Sequence, residues 1–304
     1  MANRTGLSRK DFLRLLAAAA AAAGIYLLYP LVKALSPART PEQDLSPTPA
    51  RAVPTATPTP AETSSPSETP TNPPTSSPTE KNPNLLTAEK IQFLADHPIN
   101  HGRTEEKIVM MTYDEGNIPE NVEKLLDIYK KHDGKCTFFM TGAGLEQSKG
   151  LLARMINEGH VVGSHSYDHI NLAELADDKI TEQFNKWFDK FRSIIPDYQV
   201  NYFRAPSGSK NERVLKIASS FGLQHVHWNV SSGGLTADTI KYVFDEFQRY
   251  QNYYQAVGGA IVLSHTIRSY DISQADDIVT RWIDLGYQLI TIDQGKMDSD
   301  TWKG

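Results

Sequence analysis

Polar and basic residues up to Arg14 precede an uncharged apolar run over 15–32, after which a long stretch has no apolar periodicity at all. From Lys107 onward the pattern changes: short β-branched and aromatic runs alternate with stretches whose apolar residues recur every three or four positions. Such runs predict strands and helices respectively. Strands are expected over 107–113, 136–141, 160–164, 202–205, 225–230, 260–265 and 287–292. Val122, Leu125, Leu126 and Tyr129 mark one helical face, and Leu152, Met155 and Ile156 another that stops before Glu158-Gly159. Seven β runs separated by helices predict an α/β fold of parallel β/α units, either an open doubly wound sheet or a barrel.

The two N-terminal segments differ from this pattern in kind. Arg4, Arg9, Lys10 and Arg14 ahead of the apolar run, with Val32-Lys33-Ala34 after it, predict that 1–35 is an export signal peptide or, uncleaved, an N-terminal membrane anchor. Ser8 to Arg14 is similar to a twin-arginine signal with Lys10 in place of the second arginine, so either general or twin-arginine export fits. Residues 36–83 hold thirteen of the 18 prolines with many Thr and Ser and no aromatic residue. That composition buries too little apolar surface to offset its ordering entropy, so a disordered Pro/Thr/Ser-rich linker is expected, reaching on the order of 150 Å if fully extended. Residues 84–304 are enough to bury a full core and are expected to form one large domain.

Charge narrows the partners. The chain carries a net −5, and the basic excess lies in 1–35, so the domain itself is acidic. An acidic surface argues against nucleic acid as a partner. Cys136 is the only cysteine, which excludes an intrachain disulfide; its apolar surroundings predict a buried side chain rather than a reactive thiol.

Polar, chemically capable residues cluster at the C-terminal ends of the predicted strands, where α/β folds build their sites. Asp114 and Glu115 follow the first run, where a turn could aim them in different directions. His165 and His169 follow the third, and would share a face if that segment were helical. Two imidazoles and a carboxylate suit Zn²⁺ or a related divalent ion. Arg204 to Gly208 and Leu263-Ser264-His265 close two later runs. Singly, adjacent acids are more often a solvated loop and such a His pair more often surface or core, while Arg204 is equally well a surface salt bridge and His265 a core histidine. A glycoside hydrolase using Asp114 and Glu115 is disfavoured, because neighbouring residues rarely set their carboxyls about 5 Å or more apart across a sugar bond.

In this order, from about His101 to about Ile292, the clusters resemble the polysaccharide deacetylase family, the NodB-homology carbohydrate esterases. The resemblance implies a distorted (β/α) barrel that removes acetyl groups from polysaccharide with one divalent ion, Zn²⁺ first and Co²⁺ or Ni²⁺ as alternatives. It implies Asp114 as general base, Glu115, His165 and His169 as metal ligands, Arg204 as the holder of the base carboxylate, and His265 as general acid. Ser207 would aid oxyanion binding, with Trp228 and Leu235 lining the substrate site. Two departures stand out. Glu115 replaces the usual aspartate, and Gly234-Leu235 stand where the family has the aspartate that partners the catalytic histidine and a tryptophan. Asp238 and Asp271 are the candidate replacements for that aspartate. The implied partners are acetylated polysaccharide and the cell wall, with a membrane contact through an uncleaved N-terminus. The expected location is extracytoplasmic. The competing expectation is a catalytically impaired pseudoenzyme that serves as a metal- and glycan-binding wall module.

Overall fold

A computed structural model describes residues 86–233 and 238–303. The expected signal or anchor 1–35, the linker 36–83, Gly234 and Leu235 lie outside the described residues.

Strand β1 (Ile108–Glu115) is buried at every position, which is why its sequence reads as a nearly continuous apolar run. It pairs in parallel with β2 (Thr137–Met140), with β7 (Ala260–His265) and, at its first two residues, with β8 (Gln288–Leu289). Strands β3 (Val161–Ser164), β4 (Tyr202–Phe203) and β5 (Gln224–His225) continue on the β2 side, and β6 (Val230–Ser231) lies beyond β7. The order is β5-β4-β3-β2-β1-β7-β6, with β8 beside the foot of β1. This parallel sheet curls into a distorted, incompletely closed barrel. Its two edges, β5 and β6, form no strand pair; residues 99–102 span the gap instead. Ile99 N–H donates to the His225 carbonyl and Gly102 N–H to the Gly259 carbonyl, so one segment is tied to both sides.

Helices pack outside the sheet. Helix α1 (Ala88–Asp96) is capped by the Thr87 side chain. Helix α2 (Pro119–Lys131) starts with proline in its first turn and buries Val122, Leu125, Leu126 and Tyr129, as their spacing predicts. After α3 (Gly142–Gln147), α4 (Lys149–Asn157) buries Leu152 and Met155. The remaining helices are α5 (Asp177–Arg192), α6 (Glu212–Ser220), α7 (Thr239–Tyr254), α8 (Ser269–Ser273), α9 (Ala275–Asp284) and α10 (Ile292–Gly295). No described helix is long and apolar enough to cross a membrane.

Strand alternation separates two cores. Val109, Met111 and Tyr113 face the helices, whereas Met110 joins Ile99, Phe139 and Ile261 inside the curl. Thr112 and Asp114 continue the Met110 face, so the inner side turns polar toward the C-terminal end of the sheet. Cys136 is buried as expected, its sulfur 3.4 Å from His160 Nδ1.

Two expected strands come out differently. The run 225–230 is not one strand: β5 pairs with β4 and β6 with β7, and the residues between them cross the gap in the barrel. The run 287–292 shortens to β8 because Thr291 and Gln294 form a reciprocal capping box that starts α10.

Candidate functional site

Strand register brings the chemistry together. Asp114 and His265 are Cα partners across β1 and β7, so both emerge side by side at the same end of the sheet. His165 extends the β3 ladder by donating its N–H to the Met140 carbonyl, and Arg204 extends β4 by donating to the Ser164 carbonyl. Asp114 and Glu115 are the last two residues of β1 rather than residues of a following turn. Alternation sends their side chains apart, and Glu115 bends away with φ of 76°.

Glu115, His165 and His169 each offer a ligand atom within 4.8 Å of the others. The segment carrying the two imidazoles is not helical, contrary to the condition set for their sharing a face. It converges instead through left-handed backbone at Ser166 (φ 60°) and His169 (φ 54°). Helix α5 pins this loop: Gln183 Oε1 accepts from the Tyr167 and Asp168 N–H groups, and its Nε2 donates to Asp168. His165 Nδ1 lies 2.9 Å from the Arg204 carbonyl, which can only accept, so Nδ1 carries the proton and Nε2 is left with a free lone pair. Burial pushes His165 down to about 4 and lowers His169 also, keeping both rings neutral at neutral pH. Burial, reinforced by neighbouring Asp114, pushes the Glu115 carboxyl from 4.5 up to about 8. Its Oε2 is buried without a hydrogen-bond partner. Two neutral imidazoles and an uncompensated buried carboxyl are the donor set that a divalent cation would satisfy. Glutamate in place of aspartate reaches the cluster, with Oε1 3.8 Å from His169 Nε2.

Arg204 is wholly buried and anchors the other carboxylate. Its Nη1 donates to Asp114 Oδ1 at 2.9 Å and to Thr112 Oγ1 at 2.6 Å, both on the inner face of β1. Nε and Nη2 donate to the carbonyls of Val226 and His227, and the guanidinium lies 4.3 Å from the Phe139 ring centroid. Asp114 Oδ2 faces His165 Nε2 at 3.5 Å, too long for a hydrogen bond.

Asp114, Glu115, His165, His169, Ser207, Trp228 and His265 all line one cavity of about 380 Å³. Ser207 holds a left-handed backbone (φ 57°) in the short 3₁₀ turn Pro206–Gly208, whose glycine packs on the Trp228 ring. A second cavity of about 490 Å³ shares Glu115, His169 and Ile267 with the first and adds Thr141, Tyr167 and Asp168, which extends the concave surface away from His265. Ile267 and Arg268 also line the first cavity, and sequence reasoning missed both. Their position two and three residues past His265 at the end of a buried strand was the available signal. Of the two candidate partners for His265, Asp271 is beside it, with Oδ2 3.6 Å from Nδ1; Asp238 begins α7 and is exposed.

The sequence matches the polysaccharide deacetylase family over residues 101–226. Bacillus subtilis PdaA, a peptidoglycan-N-acetylmuramic acid deacetylase, is 32% identical over 195 residues, covering 63% of this chain and 72% of that protein. Its solved structure aligns with a TM-score of 0.57 at 31% identity, over 67% of this chain and 87% of that one. PgdA of Listeria monocytogenes, a peptidoglycan-N-acetylglucosamine deacetylase, is 32% identical over 192 residues, covering 62% of this chain and 38% of that protein. A carbohydrate esterase family 4 pseudoenzyme from Bacillus anthracis aligns with a TM-score of 0.57 at 28% identity, over 66% of this chain and 70% of that one.

Proposed function

The chain belongs to the polysaccharide deacetylase family, carbohydrate esterases that hydrolyse N-acetyl amide bonds, and from that premise we propose that it is an exported, metal-dependent deacetylase of cell-wall glycan, peptidoglycan being the first substrate to test. The observation that carries this reading is the convergence of Asp114, His265 and the three ligand atoms on one cavity. Glu115, His165 and His169 would hold the ion, Zn²⁺ in first place with Co²⁺ or Ni²⁺ as alternatives. Bound there, a divalent cation polarises the acetyl carbonyl and eases deprotonation of the attacking water.

The chain's own residues do the rest. Asp114, fixed by Arg204, takes the water proton as the water oxygen bonds to the acetyl carbon. The backbone at Ser207 faces the carbonyl oxygen as negative charge builds on it. His265 then gives a proton to the sugar nitrogen as the C–N bond breaks, since an amide anion is a poor leaving group. Trp228 borders the acetyl side of the cavity, with Leu235 as the proposed companion. The basic, apolar N-terminus and proline-rich segment support an exported domain held at a distance from a membrane or released into the wall. The presence of Asp114, Arg204 and His265 together favours turnover over a purely binding role. Acetate release from acetylated chito-oligosaccharide and from peptidoglycan, with chelator and with Zn²⁺ restored, tests the reading. Metal-dependent release is expected; binding of glycan without release under any metal would establish the pseudoenzyme alternative.

A further inference from the structure

Two polar atoms at the floor of the site have no hydrogen-bond partner. His265 Nδ1 is buried without a hydrogen bond, and so is Asp271 Oδ1, in a side chain with no exposure at all. Asp271 lies on α8, and its Oδ2 accepts the His265 backbone N–H at 2.8 Å, which fixes the carboxylate beneath the imidazole. The ring nitrogen Nδ1 is then 3.6 Å from the same oxygen, about 0.6 Å beyond hydrogen-bond length. With Nδ1 buried toward Asp271, Nε2 is the nitrogen open to the cavity.

A carboxylate buried this deeply, with one oxygen unsatisfied, is costly unless a charge or donor answers it. The His265 imidazole lies against this carboxylate, with Nδ1 3.6 Å from its other oxygen. Catalytic sites of this kind often tighten such a contact only when the reaction complex forms. We propose that Asp271 is the positioning carboxylate of His265, holding Nδ1–H so that Nε2 points its proton at the leaving nitrogen. This rests on the deacetylase reading, and it places the histidine's carboxylate six residues after His265 rather than at position 234, where this chain has glycine.

The reaction balances with these groups alone. Water supplies the oxygen that bonds to the acetyl carbon and its proton goes to Asp114. The C–N bond breaks with its electron pair on nitrogen, which takes the proton from His265 Nε2, releasing the free amine and acetic acid, which carries the second water proton and gives it up to solvent as acetate. The positive charge of the protonated ring faces Asp271 before that transfer and is lost in it. A substrate whose leaving group departs without a proton does not need this step.

That difference supplies the test. Asp271→Asn keeps the acceptor for the His265 N–H and removes the charge. In the Zn²⁺-loaded protein it should lower kcat on an N-acetyl glycan on the order of 10- to 100-fold with KM nearly constant, while hydrolysis of 4-nitrophenyl acetate changes by less than about threefold. Equal losses on both substrates with unchanged zinc content would make Asp271 merely structural and overturn the proposal, as would no loss on either. A second measurement needs neither turnover nor a variant. Nitrogen-15 spectra of the wild-type imidazoles should show neutral His265 protonated at Nδ1, and protonation at Nε2 alone would overturn the assignment. Wild-type protein inactive on every amide but with His265 in the Nδ1–H form would remove the deacetylase reading and leave the His265–Asp271 contact standing.

Discussion

Replacing Arg204 by methionine keeps most of the aliphatic volume and removes the guanidinium. Four acceptors lose their donor: Asp114 Oδ1, Thr112 Oγ1 and the carbonyls of Val226 and His227. Asp114 is left 4% exposed, with neutral His165 3.5 Å from its Oδ2. Breaking one side of a buried ion pair costs about 3–5 kcal/mol, most of it from the stranded charge, and the orphaned carbonyls place Arg204→Met in the upper part of that range. Much of the cost should vanish when the charge goes too. In a double-mutant cycle, Asp114→Asn should therefore be less destabilising in the Arg204→Met background than alone, with a coupling of about 1–3 kcal/mol. Urea denaturation of the metal-free domain, followed by tryptophan fluorescence, gives all four corners of the cycle. Additive costs, within about 0.5 kcal/mol, would refute the argument that the Arg204 charge is what makes a buried Asp114 tolerable.

Four further outcomes follow from the site. Because burial holds Glu115 up at about 8 and His165 down at about 4 when no ion is bound, Zn²⁺ binding at pH 7 should expel a proton from Glu115 and much less of one at pH 9, as read by calorimetry in buffers of different ionisation enthalpy. Since the folded-state value of Glu115 is raised, its contribution to metal-free stability is fully present below pH 4.5 and lost as pH rises through about 8, so the rise in Tm on adding Zn²⁺ should widen over that window. Asp114→Asn should cut deacetylation on the order of 100-fold or more with zinc content unchanged; loss of zinc instead would mean that Asp114 and Glu115 have exchanged roles. A Cβ at Gly144 would stand 2.0 Å from the Glu115 carbonyl oxygen, so Gly144→Ala should push α3 and Glu115 apart and weaken the proposed Zn²⁺ binding by tenfold or more, measured by competition with a chelating dye.

What the sequence displays well is what burial makes monotonous. β1 and β7 are long buried strands in a parallel sheet, so their apolar runs are continuous, and the polar residues that end them mark the site. The residues from 225 to 230 look equally strand-like, but the sequence does not record that the barrel fails to close there. His165 and His169 can be found as a pair, whereas their route to convergence depends on positive φ at Ser166 and His169, which two non-glycine residues do not advertise. Asp271 was one of two equal candidates because its approach to His265 depends on how α8 folds back under β7, a tertiary event with no local signature. Ile267 and Arg268 were missed because nothing in their type distinguishes a cavity wall from an ordinary loop.

The position of β1 has a consequence for how the molecule is made. It is the first strand among the described residues and lies inside the sheet; its edge toward β7 stays unpaired until residues 260–265 arrive, and the foot of its other edge until 288–289. A polypeptide emerging in sequence would thus hold an open edge of Ile108, Val109, Met110 and Met111 through more than half of the domain's synthesis. Such delayed, non-local pairing makes folding slow and leaves intermediates prone to association. The three candidate ligands, at 115, 165 and 169, all precede that closure, while His265 comes with it. An ion could be captured by the nascent half-barrel, but the proposed acid, and with it the proposed competence to cleave an amide, would be added at the end.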